Sequence, residues 1–220
     1  MNRWVGDLEG LRAHWEHERW VVGGHSFGAG LALAYALEHP DRTRAVLYLS
    51  CVLRLHGERD WHGEYRRARL ERIPEPRRQR YMELRRQRDS ERGIRPASEA
   101  ELRTLAIGAE FADRKMAERL EPLLRAELAT VNDVVNRELG VDFDRHFESA
   151  SMLERLRRLD VPVLLVHGRA DPRPLAAVEA LARALPHAEL VVLPGVGHFP
   201  YLEAPDLLGR VVRGFLASLP

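Results

Sequence analysis

Three residues of this chain have the side chains and the surroundings for acyl-transfer chemistry: Ser26, Asp171 and His198. A serine hydroxyl is a weak nucleophile at neutral pH, so a base must take its proton as it attacks, and an imidazole titrating near neutrality suits that task. A carboxylate on the other ring nitrogen fixes the tautomer and stabilises the imidazolium that forms. Each residue also has a plain alternative. Asp171, followed by Pro172, could only cap the next helix. His198 could be an ordinary loop histidine, and the glycines around Ser26 could belong to a phosphate loop. That last reading fits poorly, because the spacing is not G-x-G-x-x-G and no Gly-Lys-Ser/Thr follows.

Ser26 stands between a short apolar strand, Trp20 to Val22, and a helix opening with the small residues Ala29 and Gly30. Gly24-His25-Ser26-Phe27-Gly28 matches G-x-S-x-G, the nucleophile elbow. A strand that turns abruptly into a helix forces the residue at the bend into a strained conformation, and Gly24 and Gly28 carry no Cβ to collide across it. The bend holds Ser26 Oγ above the carboxyl end of the sheet and aims the amides of the new helix beside it. The Phe27 N–H is the natural oxyanion donor.

Asp7 to His17 reads as an amphipathic helix, and the helix after Ser26 stops near His39-Pro40, where proline disfavours helix in the residue before it. Ala45 to Leu49 is a second strand, so strand, helix and strand form a βαβ unit of a parallel sheet. From Arg54 to about Ala150 no strand is evident. Helices are expected there at Arg77 to Arg88, Ser98 to Ile107, Ala112 to Leu120 and Pro122 to Glu138, either as an insertion over the site or as solvated helices with no role in it. The βα rhythm returns at Ser151. Met152 to Leu159 reads as a helix, Val161 to His167 as a buried strand and Leu175 to Leu185 as a helix. Glu189 to Leu193 follows as a strand and Ala204 to Leu219 as a closing amphipathic helix. Ligands of such sheets bind at the carboxyl ends of the strands. The loops after Val22, Leu49, His167 and Leu193 should therefore converge, and the last two carry Asp171 and His198.

Composition narrows the classes. A formal net charge of +1 argues against nucleic acid or a membrane surface as partner. The single Cys51 excludes an intramolecular disulfide and a cysteine-based zinc cluster. No run approaches the roughly 18 apolar residues of a membrane span. Met1 to Gly10 lacks a secretion-signal profile, so a cytoplasmic protein is expected. His14, His17, His25, His56 and His62 show no ligand spacing, and neither a metal nor a cofactor is expected.

These motifs resemble those of the α/β-hydrolase superfamily, from Asp7 to the C-terminus. Gly24-His25-Ser26-Phe27-Gly28, His167-Gly168-Arg169-Ala170-Asp171 and Gly195-Val196-Gly197-His198 match its nucleophile, acid and histidine motifs, in that chain order. Asp7-Leu8-Glu9-Gly10-Leu11-Arg12 and the helix Leu31 to Pro40 are similar to prolyl aminopeptidases (proline iminopeptidases), though many of those have tryptophan where this chain has Phe27. The resemblance implies an α/β fold with a parallel sheet and a helical cap. Core residues 1–53 and 151–220 would flank a cap at 54–150. It implies a serine hydrolase acting through an acyl-enzyme on an N-terminal prolyl peptide or a small amide or ester. A substrate ammonium would call on cap carboxylates, for which Glu127, Asp133 and Glu138 are candidates by charge and region.

The family pattern is incomplete at one end. Only 18 residues precede Arg19, too few for the family's first strands and for the loop that supplies a second oxyanion amide. The sheet is expected to be amino-terminally truncated, with Trp20 to Val22 at an edge that invites association with a second copy. A non-catalytic, ligand-binding relative or an inactive fragment is the competing expectation.

Overall fold

The computed structural model describes residues 1–55, 60–90 and 95–219. Four parallel strands form one sheet in the order β1-β2-β3-β4: β1 Trp20–His25, β2 Thr43–Leu49, β3 Val163–Gly168 and β4 Ala188–Leu193. The apolar runs read from the sequence are these strands, and β1 lies at the edge, pairing with β2 alone among the described residues.

Side-chain alternation along the strands sorts the core into two faces. Val46, Tyr48, Val163 and Leu165 point to one face, packed by α1 (Asn2–His14), α2 (Phe27–Glu38), α8 (Met152–Arg157) and α9 (Leu175–Ala184). Ala45, Leu164 and Val166 point to the other, covered by α11 (Pro205–Ser218) through Leu208 and Phe215. Cys51 is a buried member of the first cluster. No helix among the described residues is long and apolar enough to cross a membrane.

Between β2 and β3 the described chain is helical: α3 (Trp61–Arg72), α4 (Arg77–Arg88), α5 (Pro96–Ile107), α6 (Arg114–Ala129), α7 (Asp133–Phe147) and then α8. Helix α4 has the bounds expected of it. Pro122, expected to separate two helices, instead lies inside α6. Its position is exposed, so water can reach the carbonyl that loses its partner, and the chain breaks later, where Asn132 Oδ1 caps α7 by accepting from the Val135 amide at 3.2 Å. Helix α3 was not expected. Asp60 Oδ1 caps it by accepting from the Gly63 amide at 2.9 Å. A smaller core, with Ile73, Tyr81, Leu84 and Leu102 buried, joins α4 and α5.

Candidate active site

Ser26 occupies the bend between β1 and α2 with φ 54° and ψ −124°, a left-handed backbone that a residue bearing a side chain rarely adopts. Its amide donates to Leu49 O at 2.9 Å, fixing the bend to the end of β2. Gly24 is obligatory, since a Cβ there would run into the Gly28 carbonyl. Gly28 is not: a Cβ at that position meets nothing within 4 Å, which corrects the expectation that both glycines relieve a clash. Phe27 opens α2, where first-turn amides have no acceptor within the helix, and its ring packs on Phe143 at 5.1 Å between centroids.

Asp171 and His198, 27 residues apart, are brought together: His198 Nδ1 donates to Asp171 Oδ2 at 2.9 Å, with both residues buried. That contact leaves Nε2 as the nitrogen able to serve a hydroxyl. Burial pushes the Asp171 carboxyl up, but the His198 hydrogen bond and the Arg173 charge outweigh it and hold the group down at about 2. Asp171 Oδ1 accepts from the Arg173 amide at 2.9 Å and from its guanidinium at 3.1 Å. The expectation that the strand-end loops converge is met by the cavities they share. Ser26, Cys51 and Arg173 line one of about 310 Å³. Ser26, Arg173 and His198 line another of about 360 Å³. Among the described residues no hydrogen bond joins Ser26 Oγ to the His198 ring. Such contacts are commonly long before a reacting carbonyl is seated.

The loop carrying His198 is braced from three sides. Its amide donates to Glu110 O at 2.7 Å, and His25 Nε2 donates to its carbonyl at 2.7 Å. Glu203, in the short helix α10 (Pro200–Glu203), accepts from the amides of Gly197, Phe199 and Ala112 at 3.0, 3.1 and 2.8 Å. Burial lowers His25 to about 4, and the neighbouring His198 adds to the shift.

Beside Asp171 lies a buried ion cluster that the sequence did not disclose. Arg173 donates to Glu110 Oε2 at 2.7 Å and stacks over the Tyr65 ring at 4.4 Å. Tyr65 OH donates to Glu110 Oε1 at 2.5 Å, and Arg69 approaches the same oxygen at 3.5 Å. Burial raises the Glu110 carboxyl, yet the charges of Arg173, His198 and Arg69 bring it below its ordinary value. Glu110, Asp171 and His198 are close enough to share a cation, but the two carboxylates already face the Arg173 guanidinium, a poor setting for a metal. Arg173 had a signal, standing two residues past the acid. Glu110 had none.

Glu127 and Glu138 are exposed and line neither cavity at Ser26, and the Asp133 side chain lies outside the described residues. The carboxylate facing the first cavity is Asp144, raised above its ordinary value by burial, with His62 Nε2 at 4.0 Å. His56 also lies outside the described residues.

The alpha/beta hydrolase fold family matches residues 1–205. The chain belongs to that family. It is 29% identical over 212 residues to a probable proline iminopeptidase from Leptolyngbya boryana, covering 88% of this chain and 64% of that one. It is 28% identical over 222 residues to 2-hydroxymuconate semialdehyde hydrolase from Pseudomonas putida, covering 98% of this chain and 69% of that one. Among solved structures, 2-hydroxy-6-oxo-6-phenylhexa-2,4-dienoate hydrolase from Rhodococcus sp. strain RHA1 superposes with a TM-score of 0.66 at 25% identity, covering 97% of this chain and 69% of that one. The chain thus spans about two thirds of the length of the proteins it matches.

Proposed function

We propose that this α/β hydrolase is a serine hydrolase cleaving small esters or amides through an acyl-enzyme. Ser26 Oγ attacks the carbonyl carbon and its proton passes to His198 Nε2. The Phe27 amide donates to the developing oxyanion. Collapse of the tetrahedral intermediate expels the leaving group, which takes the proton from His198, and water attacks the acyl-serine by the same route in reverse. The observation that carries this reading is the buried 2.9 Å hydrogen bond between His198 and Asp171 beside a cavity that Ser26 also lines. A fluorophosphonate probe should label the wild type on the Ser26 peptide and leave Ser26→Ala unlabelled. Absence of labelling in folded wild type contradicts the proposal and favours a ligand-binding protein without turnover.

The finer reading, release of an N-terminal proline, draws support from Asp144, the carboxylate that lines the Ser26 cavity and could receive an ammonium. Prolyl and butyryl nitroanilide or nitrophenyl substrates separate the two. If the aminopeptidase reading holds, Asp144→Asn raises KM for the prolyl substrate alone. Association through the β1 edge belongs to the same proposal, and light scattering across a concentration series would show a dimer if the edge pairs with a second copy.

A further inference from the structure

Helices α3 and α4 enclose a groove of about 430 Å³, and each turns an i, i+3, i+4 face toward it. On α3 that face is Gly63, Arg66, Arg67 and Leu70; on α4 it is Met82, Arg85 and Arg86, with Tyr81 beside them and Asp89 capping the helix end. Four arginines therefore line one groove with a single aspartate. Among the described residues little compensates them. Arg85 reaches Asp89 at 3.6 Å and Arg66 reaches Asp60 at 3.8 Å, both between exposed or half-exposed groups, where such pairs hold their partners weakly. Arg67 and Arg86 are exposed and have no ion pair or hydrogen bond among the described residues.

Like charges at this spacing repel one another unless an anion bridges them, and guanidinium forks suit phosphate and carboxylate oxygens. The groove also adjoins the candidate active site. Arg66 lines it and lines the cavity that holds Ser26 as well. That cavity presents Phe27, Val52 and Phe143, an apolar wall suited to an acyl chain.

We propose that the α3–α4 groove is a binding subsite for the polyanionic end of an extended substrate, whose acyl end passes Arg66 to reach Ser26. The anion-binding half stands on the groove alone; the acyl half rests on the serine hydrolase reading. Phosphates and clustered carboxylates share the required chemistry, and two probes distinguish them. Calorimetric titration of Ser26→Ala at low salt, with coenzyme A as polyphosphate and citrate as polycarboxylate, should show saturable binding of at least one. In Ser26→Ala carrying Arg67→Glu and Arg86→Glu, and at high salt, affinity should fall by about tenfold or more. Arg67→Gln with Arg86→Gln should give a smaller loss, and an unchanged thermal midpoint shows that the fold survives. No binding of either probe, or binding indifferent to both double substitutions, overturns the proposal.

With Ser26 intact, the charge-reversed pair should raise KM for butyryl-coenzyme A by about tenfold and leave KM for p-nitrophenyl butyrate unchanged. Equal effects on the two esters overturn the link between groove and cavity. Polyanion binding without cleavage of either ester sinks the hydrolase reading and leaves the groove standing. Cleavage of the nitrophenyl ester without polyanion binding does the reverse.

Discussion

On the sheet side of the site, Ser26 is held by main-chain shape: a left-handed bend, a glycine whose Cβ would strike the facing carbonyl, and one amide bonded to the end of β2. Where the helical segment meets the loop after β3, Arg173 is held by charge, with Glu110, Asp171 and the Tyr65 ring around its guanidinium. The apolar sheet behind Ser26 includes Val163, Leu164, Leu165 and Val166, each fully buried. The cluster on the other side buries ionised groups instead. Shape of the first kind is indifferent to pH and salt. Desolvated charge of the second kind is stable only while every partner is present, because a lone buried ion has lost its water.

The largest expected effect is on the shape-held side. Ser26→Ala should lower kcat on the order of 10⁶-fold while leaving the urea midpoint unchanged. Asp171→Asn comes next, at about 10⁴-fold in kcat, because the amide supports the wrong tautomer of His198. On the charge-held side, Glu110→Ala should cost about 3–5 kcal/mol of stability in urea unfolding, leaving Arg173 and Arg69 without their shared carboxylate. If Glu110→Ala were as stable as wild type, the contrast between the two sides would collapse.

Protons sharpen the comparison further. His25 has an ordinary value of 6.5 in the unfolded chain and about 4 in the folded one, so between these values the unfolded chain binds more protons. Stability should be complete above pH 6.5 and fall as the pH drops through 4, by about 3 kcal/mol at most. Asp171, lowered from 3.8 to about 2, adds a further loss below 3.8. Urea titrations across this range should show a shallower slope in His25→Asn between pH 6.5 and 4. Gly24→Ala drives a Cβ into the Gly28 backbone and should cost about 3 kcal/mol or more, read as a lowered urea midpoint.

The same contrast explains what could be read from the sequence. Strands β1 to β4 and their order along the chain follow from apolar runs bounded by turns, and Ser26, Asp171 and His198 each stand just past one of them. The helices between β2 and β3 were harder. Helix α3 is strongly charged and weakly amphipathic, so its sequence carries little helical pattern, and Pro122 suggests a break that an exposed position makes unnecessary. Glu110 was invisible for a different reason. An acid in a 3-10 turn reads as surface until the fold surrounds it with Tyr65, Arg69 and Arg173. Charge and region point to Glu127 and Glu138, yet both face solvent, since charge alone does not mark which side of a helix meets the site.

Rapid mixing with p-nitrophenyl acetate, followed by acid quench and peptide mass mapping, tests the shared site most directly. The expected result is a burst of nitrophenolate approaching one equivalent per chain, with the acetyl group on the Ser26 peptide and no burst in Ser26→Ala or His198→Ala. Folded wild-type protein that releases nitrophenolate with no acetyl group on Ser26, or equally well after either substitution, contradicts it.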